Sequence, residues 1–103
     1  MDLAEKTLEP DDEVQDIFNA SHNDQNGYVM LSQKKLLFVS EKGFFRKIYD
    51  LVLEVPYDEV DEVRCIGNVL TLLVEEKRHI FKTGFAEAIE KSIKDLKEST
   101  IIA

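Results

Sequence analysis

A single cysteine, Cys65, stands among 103 residues, so no disulfide can close within the chain, in keeping with a reducing compartment. The two histidines, His22 and His79, are far apart, and no Cys-x-x-Cys or His-x-x-x-His spacing occurs. No transition-metal site is therefore expected. A glycine-rich phosphate loop is missing as well, and with it the usual cradle for a nucleotide. No apolar run approaches the roughly 18 to 20 residues that span a bilayer, and Met1-Asp2-Leu3-Ala4-Glu5 lacks the basic start and apolar middle of a signal peptide. The expectation is a cytoplasmic protein without a cofactor.

What the chain does have is charge, unevenly placed. Its net charge is −8, and residues 1 to 26 hold eight acids against Lys6 while the other 77 residues are nearly neutral. Inside that body, residues 34 to 47 carry Lys34, Lys35, Lys42, Arg46 and Lys47 against Glu41, whereas residues 50 to 62 carry six acids and no base. A general nucleic-acid binder needs a dominant basic field, so nucleic acid is not an expected partner. One small basic patch remains available. Apolar residues make up 44% of the chain, enough for one core in a domain of this length.

The apolar pattern is that of short strands. Val14, Ile17, Phe18 and Ala20 mark a first strand to His22, and the turn composition of Asn23-Asp24-Gln25-Asn26-Gly27 leads into a second over residues 28 to 32, with Asn26-Gly27 supplying positive φ. Leu36-Leu37-Phe38-Val39, between two turn signals, reads as a third. Leu51, Leu53, Val55 and Tyr57 then share one face of a fourth, against Asp50, Val52, Glu54 and Pro56 on the other. Residues 60 to 66 and 69 to 74 flank Gly67-Asn68, a tight hairpin connection. A seventh strand spans about residues 79 to 82, after the bend Glu75-Glu76-Lys77-Arg78.

From there the period changes to 3.6: Phe85, Ile89, Ile93 and Leu96 fall on one side of a helix over residues 84 to 98. Its apolar stripe has to lie against the strands, because an isolated helix of about 14 residues is marginal in water. The predicted fold is mainly β with a C-terminal α-helix, a partly open barrel of about seven antiparallel strands capped by that helix. Residues 1–10 form a lead-in, 11–99 the domain and 100–103 a tail.

Two segments resemble a known family. Gly27-Tyr28-Val29-Met30-Leu31-Ser32-Gln33-Lys34-Lys35-Leu36-Leu37-Phe38 is similar to the "Gly, strand, Leu-Thr-x-x-Arg-Leu-Phe" hairpin of GRAM domains and bacterial pleckstrin-homology-like proteins. Val55-Pro56-Tyr57-Asp58-Glu59-Val60-Asp61-Glu62-Val63 resembles their "Ile-Pro-Tyr-x-x-Ile-x-x-Val" segment. The resemblance covers roughly residues 9 to 98. It implies a superfold that hosts lipid binders, peptide binders and assembly modules alike. Phosphoinositide binding in that family uses basic residues in the first hairpin. Here the matching loop, His22-Asn23-Asp24-Gln25-Asn26, has an acid and no Lys or Arg, which weakens that reading.

The candidate interaction surface is Lys34, Lys35, Lys42, Phe44, Phe45, Arg46 and Lys47. Exposed together, Phe44 and Phe45 would press into an interface while the cations meet anionic lipid or an acidic peptide. The alternative is that one ring enters the core, since neighbouring strand residues face opposite sides. If the sheet brings Lys34-Lys35 near Arg46-Lys47, a composite patch results, able to hold an acidic segment of another copy. The leading expectation is a non-enzymatic module binding an unidentified protein or itself. Weak contact with an anionic membrane is the alternative, and a small-ligand pocket at the open end of the barrel a third.

Catalytic patterns are weak. Ser32-Gln33-Lys34-Lys35 matches Ser-x-x-Lys in letters, but a strand end sends the two side chains apart. Cys65 with His79 lacks an activating environment for the thiol. Asp58, Glu59, Asp61 and Glu62 read as a solvated acidic face, without the spaced loop ligands or glycine of a calcium loop.

Overall fold

The computed structural model describes residues 12–43 and 46–102, with side chains to residue 98. Seven strands, β1 (Val14–His22), β2 (Gln25–Ser32), β3 (Lys35–Lys42), β4 (Ile48–Pro56), β5 (Val60–Ile66), β6 (Val69–Val74) and β7 (Lys77–Lys82), precede one helix, α1 (Ala86–Ile102). A 3-10 turn, Tyr57–Glu59, joins β4 to β5. The strands form one open antiparallel sheet in the order β4-β3-β2-β1-β7-β6-β5, as the strand-and-helix pattern predicts. The lead-in expected over residues 1–10 lies outside the described residues.

Strand β1 joins two runs of sequential hairpins, through only Ser21 with Lys82 and His22 with Phe81. The two halves and α1 nevertheless share one core. Val29, Leu31, Leu36 and Phe38 from the first half meet Leu70, Leu72 and Phe81 from the second and Ile89 and Ile93 from the helix, all without solvent exposure. Helix α1 is further tied down by the Lys97 ammonium on the Val60 carbonyl. At its start Thr83 Oγ1 donates to the Asn19 carbonyl (2.7 Å) and accepts from Phe85 N (3.1 Å). That turn displaces the helix start by two residues from the expected one. Phe85 stands before it, half-exposed against Phe18, and Ala86 takes the first buried place.

Three local features differ from the sequence expectation. The first hairpin turns at Asn23 (φ 52°) and Asp24 (φ 63°), and Asn26-Gly27 lies inside β2. Asn and Asp tolerate the left-handed region, so the bend needs no glycine there. Gly27 serves close approach instead, as a Cβ would sit 2.1 Å from the Val39 carbonyl oxygen.

The single apolar face of β4 is broken by a bulge: Phe38 pairs with Leu53 but Val39 pairs with Leu51, leaving Val52 unmatched. Leu53 and Val55 therefore join the main core, while Leu51 packs on the opposite face with Met30, Leu37 and Val39.

The last hairpin turns at Glu75 (φ 49°) and Glu76 (φ 70°), so β7 begins at Lys77. A left-handed conformation costs an ordinary L-residue about 1–2 kcal/mol, and glycine escapes most of it. Replacing the pair with Asn-Gly is expected to raise stability by about 1 kcal/mol, read as a higher urea midpoint at unchanged slope. An unchanged or lower midpoint would contradict the assignment of strain to this turn.

Candidate functional site

The structure disperses the predicted basic patch. Lys34 lies in the β2–β3 turn and Lys35 opens β3, whereas Lys42 closes β3 and Arg46 and Lys47 precede β4. Seven residue steps along an extended strand separate the two groups by about 23 Å, so no composite patch forms. Phe44 and Phe45, and with them both readings of those rings, lie outside the described residues.

The cations are also answered locally. Lys35 is ion-paired with Glu54 on the neighbouring strand, and Lys42 Nζ lies 4.0 Å from Asp50 Oδ2. Lys47 Nζ is 3.0 Å from Glu41 Oε1. The Lys47 bond is the main reason the Glu41 carboxyl is held below the usual carboxylate range, with a hydrogen bond from the Tyr28 hydroxyl second. In return Glu41 raises both the Lys47 ammonium and the Tyr28 phenol. These groups are solvent-accessible, where such pairs contribute little to stability. Their consequence is electrostatic: beyond Glu41, which lies in the segment itself, the β3–β4 pairing brings Glu54 to Lys35 and Asp50 to Lys42, so the local positive charge read from residues 34 to 47 is halved. Arg46 is exposed and has no ion-pair partner among the described residues.

Beside Arg46 the structure shows what the sequence reading missed. Strand β4 is an edge of the sheet, and its exposed apolar side chains, Ile48 (55%), Tyr49 and Val52 (42%), run from the loop to the bulge. The signal was the Ile48-Tyr49 pair, which a strand begun at Asp50 leaves aside. A shallow cleft of about 380 Å³ is lined by Glu41 together with Asn19, Ser21, Asn26, Tyr28 and Lys82.

Groups considered for catalysis are not assembled. The Ser32 hydroxyl donates to Asp12 Oδ2 (2.8 Å) and accepts from Lys35 N (3.0 Å), while the Lys35 ammonium turns to Glu54. Strand β6 separates Cys65 on β5 from His79 on β7. Burial, then Glu90 and Glu87, pushes the Cys65 thiol up, away from the thiolate. His79 is held below the ordinary imidazole value by burial, the neighbouring His22 and Lys77. His22 itself is wedged against Phe81 (ring centroids 4.6 Å apart) and Phe38, and its Nδ1–H donates to the Ile80 carbonyl (2.9 Å). That makes it a packing element of the core. Among the described residues no group of three or more His, Cys, Asp or Glu is placed to hold a metal ion, and no helix is long and apolar enough to cross a membrane.

No family model and no curated protein matches the chain. Seventeen chains of solved structures do. One is the crystal structure of the C-terminal domain of an unknown protein from Leishmania infantum, with a TM-score of 0.62 and 17% identity over 93% of this chain and 88% of that one. At such identity the likeness is one of fold: an open seven-stranded antiparallel sheet closed by a C-terminal helix.

Proposed function

We propose that the chain is a non-enzymatic, pleckstrin-homology-like interaction module of the cytoplasm, binding another protein or a second copy of itself. The observation that carries this reading is the β4 edge, a strand with no neighbour on one side among the described residues and with Ile48, Tyr49 and Val52 exposed along it. Unpaired edge groups are a template for another strand, and main-chain bonds supply affinity while alternate side chains supply selectivity. The family reading draws support from the strand order and from the two motifs: Gly27 sits where two strands approach closely, and Tyr57 is buried in the core. The anionic-membrane alternative retains Arg46 as its one described cation in the 42–47 loop without an ion-pair partner.

Size-exclusion chromatography with light scattering, and amide spectra against concentration, test the self-association arm. The wild-type mass is expected to rise above that of the 11.9 kDa monomer with concentration, with broadening confined to β4. Ile48→Asp/Val52→Lys should remain monomeric. A wild-type monomer up to about 1 mM, with β4 amides unmoved also by an added strand-forming peptide, would remove the edge as the binding element. Pelleting with anionic vesicles that survives those two substitutions would favour the membrane alternative.

A further inference from the structure

The register of the second half-sheet lays out a surface that the β4 edge does not include. Three rows cross β5, β6 and β7: Ile66 with Val69 and Lys82, Arg64 with Thr71 and Ile80, and Glu62 with Leu73 and Arg78. Paired residues share a face, and the core takes the alternate set, Val63, Cys65, Leu70, Leu72 and Phe81. The nine residues therefore form the outer face of this half. Ile66 is 76% exposed, the largest among the exposed large hydrophobics of the described residues, Ile80 is 48% exposed, and Val69 is exposed between them.

This face has its own electrostatics. Arg64 Nε donates to Glu62 Oε1 (2.7 Å), but Arg78 and Lys82 have no ion-pair partner among the described residues. In a chain of net charge −8 the face thus carries three cations against one acid. A cleft of about 280 Å³, lined by Glu62, Arg64, Ile66, Thr71, Leu73 and Arg78, runs across it.

We infer that the outer face of β5–β7 is a docking surface for an acidic peptide segment that carries bulky apolar side chains. The apolar residues fit the cleft and the Ile66–Val69–Ile80 diagonal, and the carboxylates meet Arg64, Arg78 and Lys82. A second copy packed face to face is disfavoured, because each face would bring a net charge of +2 against the other. An anionic bilayer is disfavoured by the rest of the molecule. A lipid plane confronts the whole acidic chain, whereas one segment lies within about 8 Å, a Debye length, of this face alone.

The inference rests on the reading of the chain as an interaction module and names a partner chemistry for a different surface. Its probe is a labelled short peptide alternating leucine and glutamate, followed by fluorescence anisotropy and amide shifts on the full chain. Controls carry lysine for glutamate or serine for leucine. The leucine–glutamate peptide is expected to bind, to shift amides of residues 62 to 82, and to weaken as salt rises about tenfold. Ile66→Ser/Ile80→Ser and, separately, Arg78→Glu should each weaken it roughly tenfold, with urea midpoints kept because these side chains are outward. Ile48→Asp/Val52→Lys should leave it unchanged, so failure here and failure of the β4 edge are told apart. Absence of binding, equal binding of the lysine peptide, or full binding by the Ile66 and Ile80 variant would overturn the inference. So would pelleting with anionic vesicles that those same substitutions abolish, since the face would then serve lipid.

Discussion

Gly27→Ala is expected to destabilise the protein by about 3 kcal/mol or more, the scale of severe overpacking. The added Cβ would lie 2.1 Å from the Val39 oxygen and 2.9 Å from Ser40 Cα, both backbone atoms of the paired strand that no rotamer change can move. Gly27 is held on its other side by Ala20 of β1, so β2 cannot retreat either. Relief requires opening the β2–β3 ladder, where much of the core begins. For a domain of this size the melting temperature should fall by more than about 12 °C. Gly84→Ala, with nothing within 4 Å of the new atom and no left-handed backbone, is the matched control and should melt near the wild type. A Gly27→Ala protein melting with that control would refute the close-approach account.

Tyr57→Ala should cost about 3–5 kcal/mol, and Tyr57→Phe about 1–3 kcal/mol. The ring is wholly buried, and the residue clamps the β2–β3 turn twice: its hydroxyl donates to the Ser32 carbonyl (2.7 Å) and its backbone N–H to the Lys34 carbonyl (3.1 Å). Alanine leaves a ring-sized void between turn, sheet and helix. Phenylalanine leaves the void filled but the Ser32 carbonyl short of its donor. Burial, with Asp12 and Asp16 adding to it, also raises the phenol well above its ordinary value of 10.0. The neutral phenol is thus favoured in the folded state, so this contribution is complete below pH 10 and is lost as pH rises above it. Tyr28 is raised too and acts in the same direction. Urea midpoints of wild type should therefore drop more steeply from about pH 9 to 11 than those of Tyr57→Phe, which keeps the Tyr28 share. Parallel curves would count against an un-ionised buried phenol.

What the sequence disclosed followed from local rules. The β5–β6 hairpin has the expected bounds because Gly67 takes φ 58° at a two-residue turn between runs of opposite-face alternation. The helix stripe Ile89, Ile93 and Leu96 packs as its spacing requires. The bulge at Val52 escaped, since nothing in Leu51-Val52-Leu53 marks which residue is unmatched until β3 sets the register. The bend over Glu75-Glu76-Lys77-Arg78 was legible, but its narrowing to Glu75-Glu76 escaped, because glutamate is a poor signal for the left-handed backbone that the hairpin imposes.

The candidate site was less legible for a related reason. Charges counted along residues 34 to 47 read as basic, yet two acids outside that segment, Glu54 for Lys35 and Asp50 for Lys42, are chosen by cross-strand pairing. The face of β5–β7 is invisible to any linear scan, as its three rows are assembled from residues 62 to 82 in alternation.

The narrow join between β1 and β7 has a consequence for how such a chain finds its shape. Among the described residues every other ladder links strands adjacent in sequence, so five hairpins can close small loops at modest entropic expense. Among the described strands one closure spans most of the polypeptide, and it is made by two residue pairs. The halves can thus zip separately and meet late, held less by that seam than by the greasy interior they jointly enclose.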